Sequence, residues 1–372
     1  MKIGIDLTSF HKKHDGGKEQ VLFNLLKGFN ELGASKKISI FCYAYMIETI
    51  RQIIPDAEII TIKASKFPKK LIADYWVKTF RLPKIVKRHG ISILFFPVSH
   101  TGLMRFSIPT VVLPHDIQPI SRRENYSVLE GLKYQCIYHF DFLLRDHIVS
   151  ISNFDLAQLE AHYPQHTHKF KQIYNPIAMK PKVDHPKKKQ EIIAINIQYP
   201  HKNIKTLIKA FSIIQHQIPH TLVLVGSKNK MTSPLLTCIT EEKVTNRVQF
   251  TGFLSDKDLH QRLEESALYV NPSSFEGFGM TAIEAMILKV PVIVADTTAS
   301  PEVTKGLCTY YSPVSDERAL ARKMLANLQD PPNQATLHAI SNQIESAYSY
   351  RKIANEYLEF FQTIHEKQNQ PR

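Results

Sequence analysis

The sequence predicts an α/β protein built from two doubly wound parallel-sheet domains, and three observations carry that prediction. Short apolar runs alternate with amphipathic stretches along both halves of the chain, the pattern of parallel strands joined by crossover helices. At 372 residues the chain is too long for one ordinary core and fits two. Between the halves, PIAMKPKVDHPKKKQ (176–190) joins three prolines to a run of lysines with little apolar content. That composition makes residues 179–190 a linker between a domain over 1–178 and a second over 191–348, with a terminal helix over 349–372.

The first strand is KIGID, at the start of the chain. Its loop, Thr8 to Gly17, is long for a strand-to-helix connection and ends in Gly16-Gly17 directly before a helix at 17–32. Two residues without a Cβ bring bare backbone amides to a phosphate or sugar at a helix N-terminus. His11, His14 and Asp15 stand in the same loop with no further partner at ligand spacing, so no metal is expected there. Strands ISIFCYA, EIITI, ISILFFP, PTVVLP and HIVSIS follow. His115, in LPHD, closes one of them at its carboxyl end, where open α/β sheets bind ligands.

Residues 66–90 hold eight Lys and Arg against one Asp, interleaved with Leu71, Ile72, Tyr75, Phe80, Leu82 and the only tryptophan, Trp76. Apolar residues at 71/72, 75/76 and 79/80 predict one helical face, with Pro83 breaking or restarting the helix. Two readings stay open. In one, Lys69, Lys70, Lys78, Arg81, Lys84 and Lys87 meet an anionic membrane surface. In the other, the apolar face packs on the sheet and the lysines lie in water.

The second domain opens at EIIAIN and continues through a helix at 203–217, TLVLVG and RVQFTG. Lys202 stands just before that helix, where an ammonium can meet a diphosphate as a point charge. Next come a buried strand at 267–270 and NPSSFEGFGMTAIEAMILKVPVIVAD (271–296), which reads as a loop with Gly277 and Gly279, a helix at 280–288 and a strand at 291–295. The loop amides of Phe278 and Gly279 and the helix start behind them favour an oxygen-rich, negatively charged ligand. Glu276 enters the loop and Glu284 lies one helical turn in; ionised carboxylates accept hydrogen bonds and suit sugar hydroxyls. A helix near 316–328 and an amphipathic one at 349–367 complete the reading.

Composition narrows the function. The formal net charge is +13, and residues 1–178 carry 24 Lys and Arg against 15 Asp and Glu. An acidic partner is implied, but no nucleic-acid recognition motif is present, and none is expected to bind. Four widely separated cysteines without a Cys-x-x-Cys read as reduced thiols of a cytoplasmic protein. Neither a signal peptide nor a spanning helix is expected, so membrane contact would be peripheral, on the inner face.

FEGFGMTAIEAM resembles the Glu-x7-Glu signature of retaining glycosyltransferases of family 4, which have the GT-B fold. VQFTGFLSDKDL (248–259), PVIVAD and PEV (301–303) accompany it in family order. The resemblance implies two Rossmann-like α/β/α domains facing across a cleft, with the last helix crossing back to the first domain. It implies a hexosyltransferase taking a nucleotide-diphosphate sugar, without cofactor or metal, to a glycan or lipid-linked acceptor in polysaccharide or lipopolysaccharide synthesis. By the same resemblance Glu276 and His115 attend the transferred sugar, with the amides of Phe278 and Gly279, while Glu284 holds the ribose. Lys202 binds the diphosphate, and Gly16 and Gly17 face the donor. The family's usual Arg five or six residues before that Lys is missing: Asn196 and Ile197 stand there. Its absence leaves open a non-catalytic sugar- or lipid-binding protein of the same fold; a GT-B enzyme of different chemistry, such as a nucleotide-sugar epimerase or a phosphorylase, is the other alternative.

Overall fold

The computed structural model describes residues 1–10, 16–63, 70–182 and 186–369. His11, His14, Asp15 and Lys69 lie outside the described residues. The chain divides into two compact units, Met1–Ala178 with Tyr348–Arg372, and Met179–Ala347.

In the first unit seven strands form one sheet: β1 (Ile3–Asp6), β2 (Ile38–Cys42), β3 (Glu58–Thr61), β4 (Ile93–Phe96), β5 (Thr110–Val112), β6 (His147–Ser150) and β7 (Phe170–Gln172). Their order is β3-β2-β1-β4-β5-β6-β7, with every pair parallel. Strand order therefore reverses between β1 and β4. Loops leaving the carboxyl ends of those strands diverge and open a crevice for a ligand.

The second unit repeats the plan. Strands β8 (Lys189–Ile195), β9 (Thr221–Val225), β10 (Val248–Gly252), β11 (Ser266–Asn271), β12 (Val292–Ala295) and β13 (Thr309–Tyr311) lie in the order β10-β9-β8-β11-β12-β13, all parallel. The reversal falls between β8 and β11. Its core joins Ile192, Leu222, Leu268 and Ile293 of the sheet to Leu207 and Phe211 of the helix Ile204–Ile214 and to Leu320 of the helix Glu317–Gln329. Strands covered on both faces are buried at successive residues, as in β12, which is why they read as unbroken apolar runs. Strand β8 begins at Lys189, inside the expected linker, and the Lys188 ammonium donates to the Glu264 carbonyl at 2.8 Å.

The terminal helix Tyr350–Asn369 belongs to the first unit and packs on the helix Gly17–Glu31. Gly28 permits the approach: a Cβ there would stand 2.5 Å from both the Ala354 Cβ and the Tyr350 carbonyl oxygen. Where the chain enters this helix, Ile177 and Tyr348 pair backbones at 2.8 Å, and the Tyr350 hydroxyl donates to Glu31 at 2.6 Å.

The basic stretch departs from expectation. It forms a helix Lys70–Trp76, a π-helical turn Val77–Arg81 and a helix Leu82–Arg88 with Pro83 in its first turn. The buried positions are Ala73, Asp74, Val77, Lys78, Thr79, Leu82 and Val86, whereas Ile72 and Phe80 are 50% and 54% exposed. The buried face thus runs through Ala73, Val77, Leu82 and Val86 and not through 71/72, 75/76 and 79/80, and the wide turn takes up the five-residue step from Val77 to Leu82. Lys78, outward in either reading, is instead buried against Asp6 at 3.2 Å, because an internal carboxylate offers the ammonium its compensating charge. A further helix, Val128–Leu144, is absent from the sequence reading; its apolar residues lie all around it and give no clean period. Among the described residues no helix is long and apolar enough to cross a membrane.

Candidate functional site

The second unit gathers its polar groups where its strand order reverses. Strand β8 leads through Asn196 to a short turn at Pro200–Lys202, and Asn203 takes a left-handed conformation (φ 52°) to start the helix Ile204–Ile214. Asn203 tolerates that φ and fixes it through Nδ2 to the Val314 carbonyl at 2.8 Å. The His201 carbonyl accepts from the Ser274 amide at 2.8 Å and from the Ser273 and Ser274 hydroxyls at 3.2 Å. The loop after β8 is thereby stitched to the loop after β11.

Across that seam Lys202 Nζ meets Glu276 Oε1 at 2.5 Å, and Asn271, the last residue of β11, donates to the same oxygen at 3.0 Å. The Glu276 amide donates to Thr298 Oγ1 at 3.1 Å and its carbonyl accepts from Ala299, so the loop after β12 holds it from a third side. Burial alone would raise the Glu276 carboxyl. The Lys202 charge and hydrogen bond, with the Asn271 bond, reverse this and hold it below the usual carboxylate range. Desolvation, with Lys202 adding to it against the opposing pull of Glu276, pushes His201 down to about 4, so its ring is neutral.

Gly279 precedes the helix Met280–Ile287 with φ 79°, a left-handed conformation that costs glycine nothing and turns the chain sharply into the helix. A Cβ there would also sit within 3.7–3.9 Å of the Glu276 side chain. Phe278 is buried, and Glu284 lies half-buried inside the helix. Desolvation, then the charge of Asp256, pushes the Glu284 carboxyl up to about 7. Two carboxylates on either side of one glycine loop are thus driven in opposite directions, Glu276 firmly ionised and Glu284 close to half-protonated at neutral pH. Environments that separate two acids in this way are a mark of functional sites. Sequence reasoning placed Lys202, Glu276 and Glu284 in one unit but missed His201, Asn271 and Thr298. The one available signal was the polar Asn at the end of an apolar strand.

At the position of the missing arginine the structure has Asn196 in a left-handed conformation and Ile197 buried in the core. The loop after β9 carries exposed Lys228 and Lys230, and Asn229 Nδ2 ties it to the β8 loop through the Gln198 carbonyl at 2.8 Å.

The first unit has its own polar cluster at the carboxyl ends of β1 and β4. Asp6 Oδ1 accepts from the Thr8 hydroxyl at 2.8 Å and faces Lys78 through Oδ2. Lys78 donates on to the Ser9 hydroxyl and, at 2.7 Å, to the His100 carbonyl. Asp141 accepts from the His100 and Thr101 amides at 2.9 and 3.0 Å. His115 follows β5 with φ 71° and is buried, its Nε2 2.8 Å from the Pro97 carbonyl. A carbonyl only accepts, so Nε2 carries the proton and Nδ1 is left as an acceptor. Desolvation, with Lys18 adding to it, pushes His115 down to about 3, which keeps it neutral. Gly16 takes φ 67° ahead of the helix Gly17–Glu31, with nothing within 4 Å of where a Cβ would lie, so conformation rather than space calls for glycine. Among the described residues no group of three or more His, Cys, Asp and Glu side chains is placed to hold a metal ion.

Residues 177–345 match the family model for glycosyl transferases, group 1. The match spans almost the whole of the second unit, which belongs to this glycosyltransferase family. The O-antigen chain mannosyltransferase RfbU of Salmonella typhimurium is 24% identical over 70% of this chain and 71% of its own. The O-antigen chain mannosyltransferase B of Escherichia coli is 28% identical over 37% of this chain, a match spanning only 36% of that protein. HepE of Anabaena, crystallised with UDP and glucose, superposes with a TM-score of 0.72 at 18% identity, covering 98% of this chain and 100% of its own. The fold of this glycosyltransferase is GT-B, with its two Rossmann-like parallel-sheet units.

Proposed function

We propose that this glycosyltransferase moves a hexosyl unit, mannose in the reading its relatives favour, from a nucleotide-diphosphate sugar to a glycan or lipid-linked acceptor in cell-envelope polysaccharide synthesis, with retention at the anomeric carbon. The observation that carries it is the buried Lys202–Glu276 pair with Asn271 at the β8/β11 reversal. In the ligand-free state the Lys202 charge is held by Glu276. An arriving diphosphate offers that ammonium two negative charges, and Lys202 exchanges partners, leaving Glu276 with acceptor capacity for sugar hydroxyls. Glu284 accepts from the ribose hydroxyls in its ionised form, and the amides at Phe278 and Gly279 meet the developing charge.

As the bond from anomeric carbon to diphosphate breaks, the acceptor hydroxyl oxygen takes its place and the hydroxyl proton passes to the departing diphosphate. This scheme uses no divalent metal or cofactor. Lys228 and Lys230 share the diphosphate charge that the missing arginine would meet, and His115, neutral, works as a hydrogen-bonding group near the transferred sugar, with Gly16 and Gly17 on the same side of the reaction. Cytoplasmic synthesis of a lipid-linked glycan would place the enzyme on the inner face of the membrane, with Lys84 and Lys87 of the basic stretch still outward.

The test is a panel of nucleotide-diphosphate hexoses with a lipid-linked or soluble glycan acceptor. Nucleoside diphosphate released only when both substrates are supplied supports the reading. A protein that binds donors without turnover, or interconverts them without acceptor, would sink it.

A further inference from the structure

The helix Val128–Leu144 buries one side, Ile137, Tyr138, Asp141 and Phe142, and turns a second apolar stripe to solvent. Leu129, Leu132, Cys136, Phe140 and Leu143 recur at spacings of three and four, one continuous line along the outer face, and Leu129 is 80% exposed. The line does not stop at the helix end. Arg105 donates to the Leu143 carbonyl at 3.2 Å, and Arg145 to the Met104 carbonyl at 2.6 Å, which sets exposed Leu103 and Met104 beside it. The Leu103 amide in turn donates to Thr79, the neighbour of exposed Phe80. Isolated exposed leucines are ordinary; a connected stripe running from one helix over a loop to a second helix is not.

Charge says what covers it. Both acids of the helix are engaged within the unit: Glu130 closes a capping box with Ser127, and Asp141 is buried under the His100 and Thr101 amides. Exposed Lys133, on the helix itself, and Arg105, bonded to its Leu143 carbonyl, rim the stripe. An apolar line bordered by cations is the pattern of a helix lying in a bilayer interface. Two copies of a chain of net charge +13 would instead bring like charges together along the same line.

We propose that this stripe seats the protein on an anionic phospholipid bilayer, with Leu129, Leu132, Phe140 and Leu143 entering the acyl boundary and Lys133 and Arg105 meeting headgroup phosphates. The proposal rests on a lipid-linked acceptor and relocates the membrane contact from the lysines of 66–90, one of which is internal, to a surface centred on the helix Val128–Leu144.

The full-length protein is tested by flotation with phosphatidylcholine vesicles containing 30% phosphatidylglycerol, against pure phosphatidylcholine. The expected result is capture by the anionic vesicles alone, reduced more than tenfold in the Leu132→Glu/Phe140→Glu double variant, whose turnover of a soluble acceptor analogue and circular dichroism stay as in the wild type. An environment-sensitive fluorophore on exposed Cys136 should shift to the blue on vesicle addition. Equal capture of wild type and variant, or no capture at low salt, overturns the proposal. So does a wild-type dimer in sedimentation that the double variant converts to monomer while vesicles are ignored, which would assign the stripe to a second copy. Since the soluble analogue reports transfer without a membrane, loss of vesicle binding and failure of the glycosyltransferase reading give different results.

Discussion

Replacing Glu284 with Gln should weaken the donor site and strengthen the fold at once. In the ligand-free protein the Glu284 carboxyl is raised by desolvation and by Asp256 from 4.5 to about 7. A folded-state value above the unfolded one means that the folded protein binds the proton more tightly between those limits. The group's contribution to stability is therefore intact below 4.5, declines as pH rises through that window, and is a full penalty above 7. At its ceiling the shift corresponds to about 3 kcal/mol, and partial solvent access trims this to about 1–2 kcal/mol. Gln carries no charge to desolvate, so at pH 8 Glu284→Gln should raise the melting temperature of the 179–347 unit by a few degrees and at pH 5 leave it unchanged. Donor binding should move the other way. A carboxylate accepting ribose hydroxyls loses about 1.5–3 kcal/mol on becoming an amide. In the wild type, affinity should also climb between pH 6 and 8 as Glu284 ionises, and in the variant that climb should flatten. The ligand must be an intact nucleotide-diphosphate sugar, whose diester phosphates do not titrate in this range. Calorimetric scanning gives the first readout and isothermal titration the second. A variant that is less stable at pH 8, or binds donor as well as the wild type at that pH, would refute both the burial and the role assigned to Glu284.

Lys202→Ala should lower donor affinity by about 1.5–3 kcal/mol, since a charge-assisted bond to the diphosphate is lost, and raise the Glu276 carboxyl above its present value, measurable by titration calorimetry and carboxyl NMR. The Lys228→Ala/Lys230→Ala variant should raise the donor KM about tenfold with little change in kcat, the mark of ground-state binding; unchanged kinetics would remove that loop from the site. Lys78→Met leaves Asp6 uncompensated in the interior and should cost about 3–5 kcal/mol in urea unfolding, with Asp6→Asn/Lys78→Met recovering much of it. Transfer should persist in excess EDTA; complete loss restored by magnesium or manganese would overturn the charge scheme proposed for Lys202.

The two-unit parallel-sheet fold was legible in the sequence because its signal is local. A strand covered on both faces must be apolar at each residue, so β1, β4 and β12 announce themselves, and the crossover helices between them carry the other period. The glycine loop with Glu276 and Glu284 was legible for the same reason, its members lying within one strand-loop-helix unit. What the sequence left undecided depends on partners distant along the chain. Lys202 finds Glu276 over a separation of 74 residues, and His201 and Thr298 join it only because three strand-end loops converge at one reversal of strand order. Lys78 reads as a surface lysine until Asp6 is brought beneath it, and a π turn then takes the buried face over the five-residue step from Val77 to Leu82, which no regular period shows. In the helix Val128–Leu144 apolar residues occur on every side, so no periodicity separates the face that meets the sheet from the face that meets solvent. Only the sheet, by occupying one side, leaves the other uncovered.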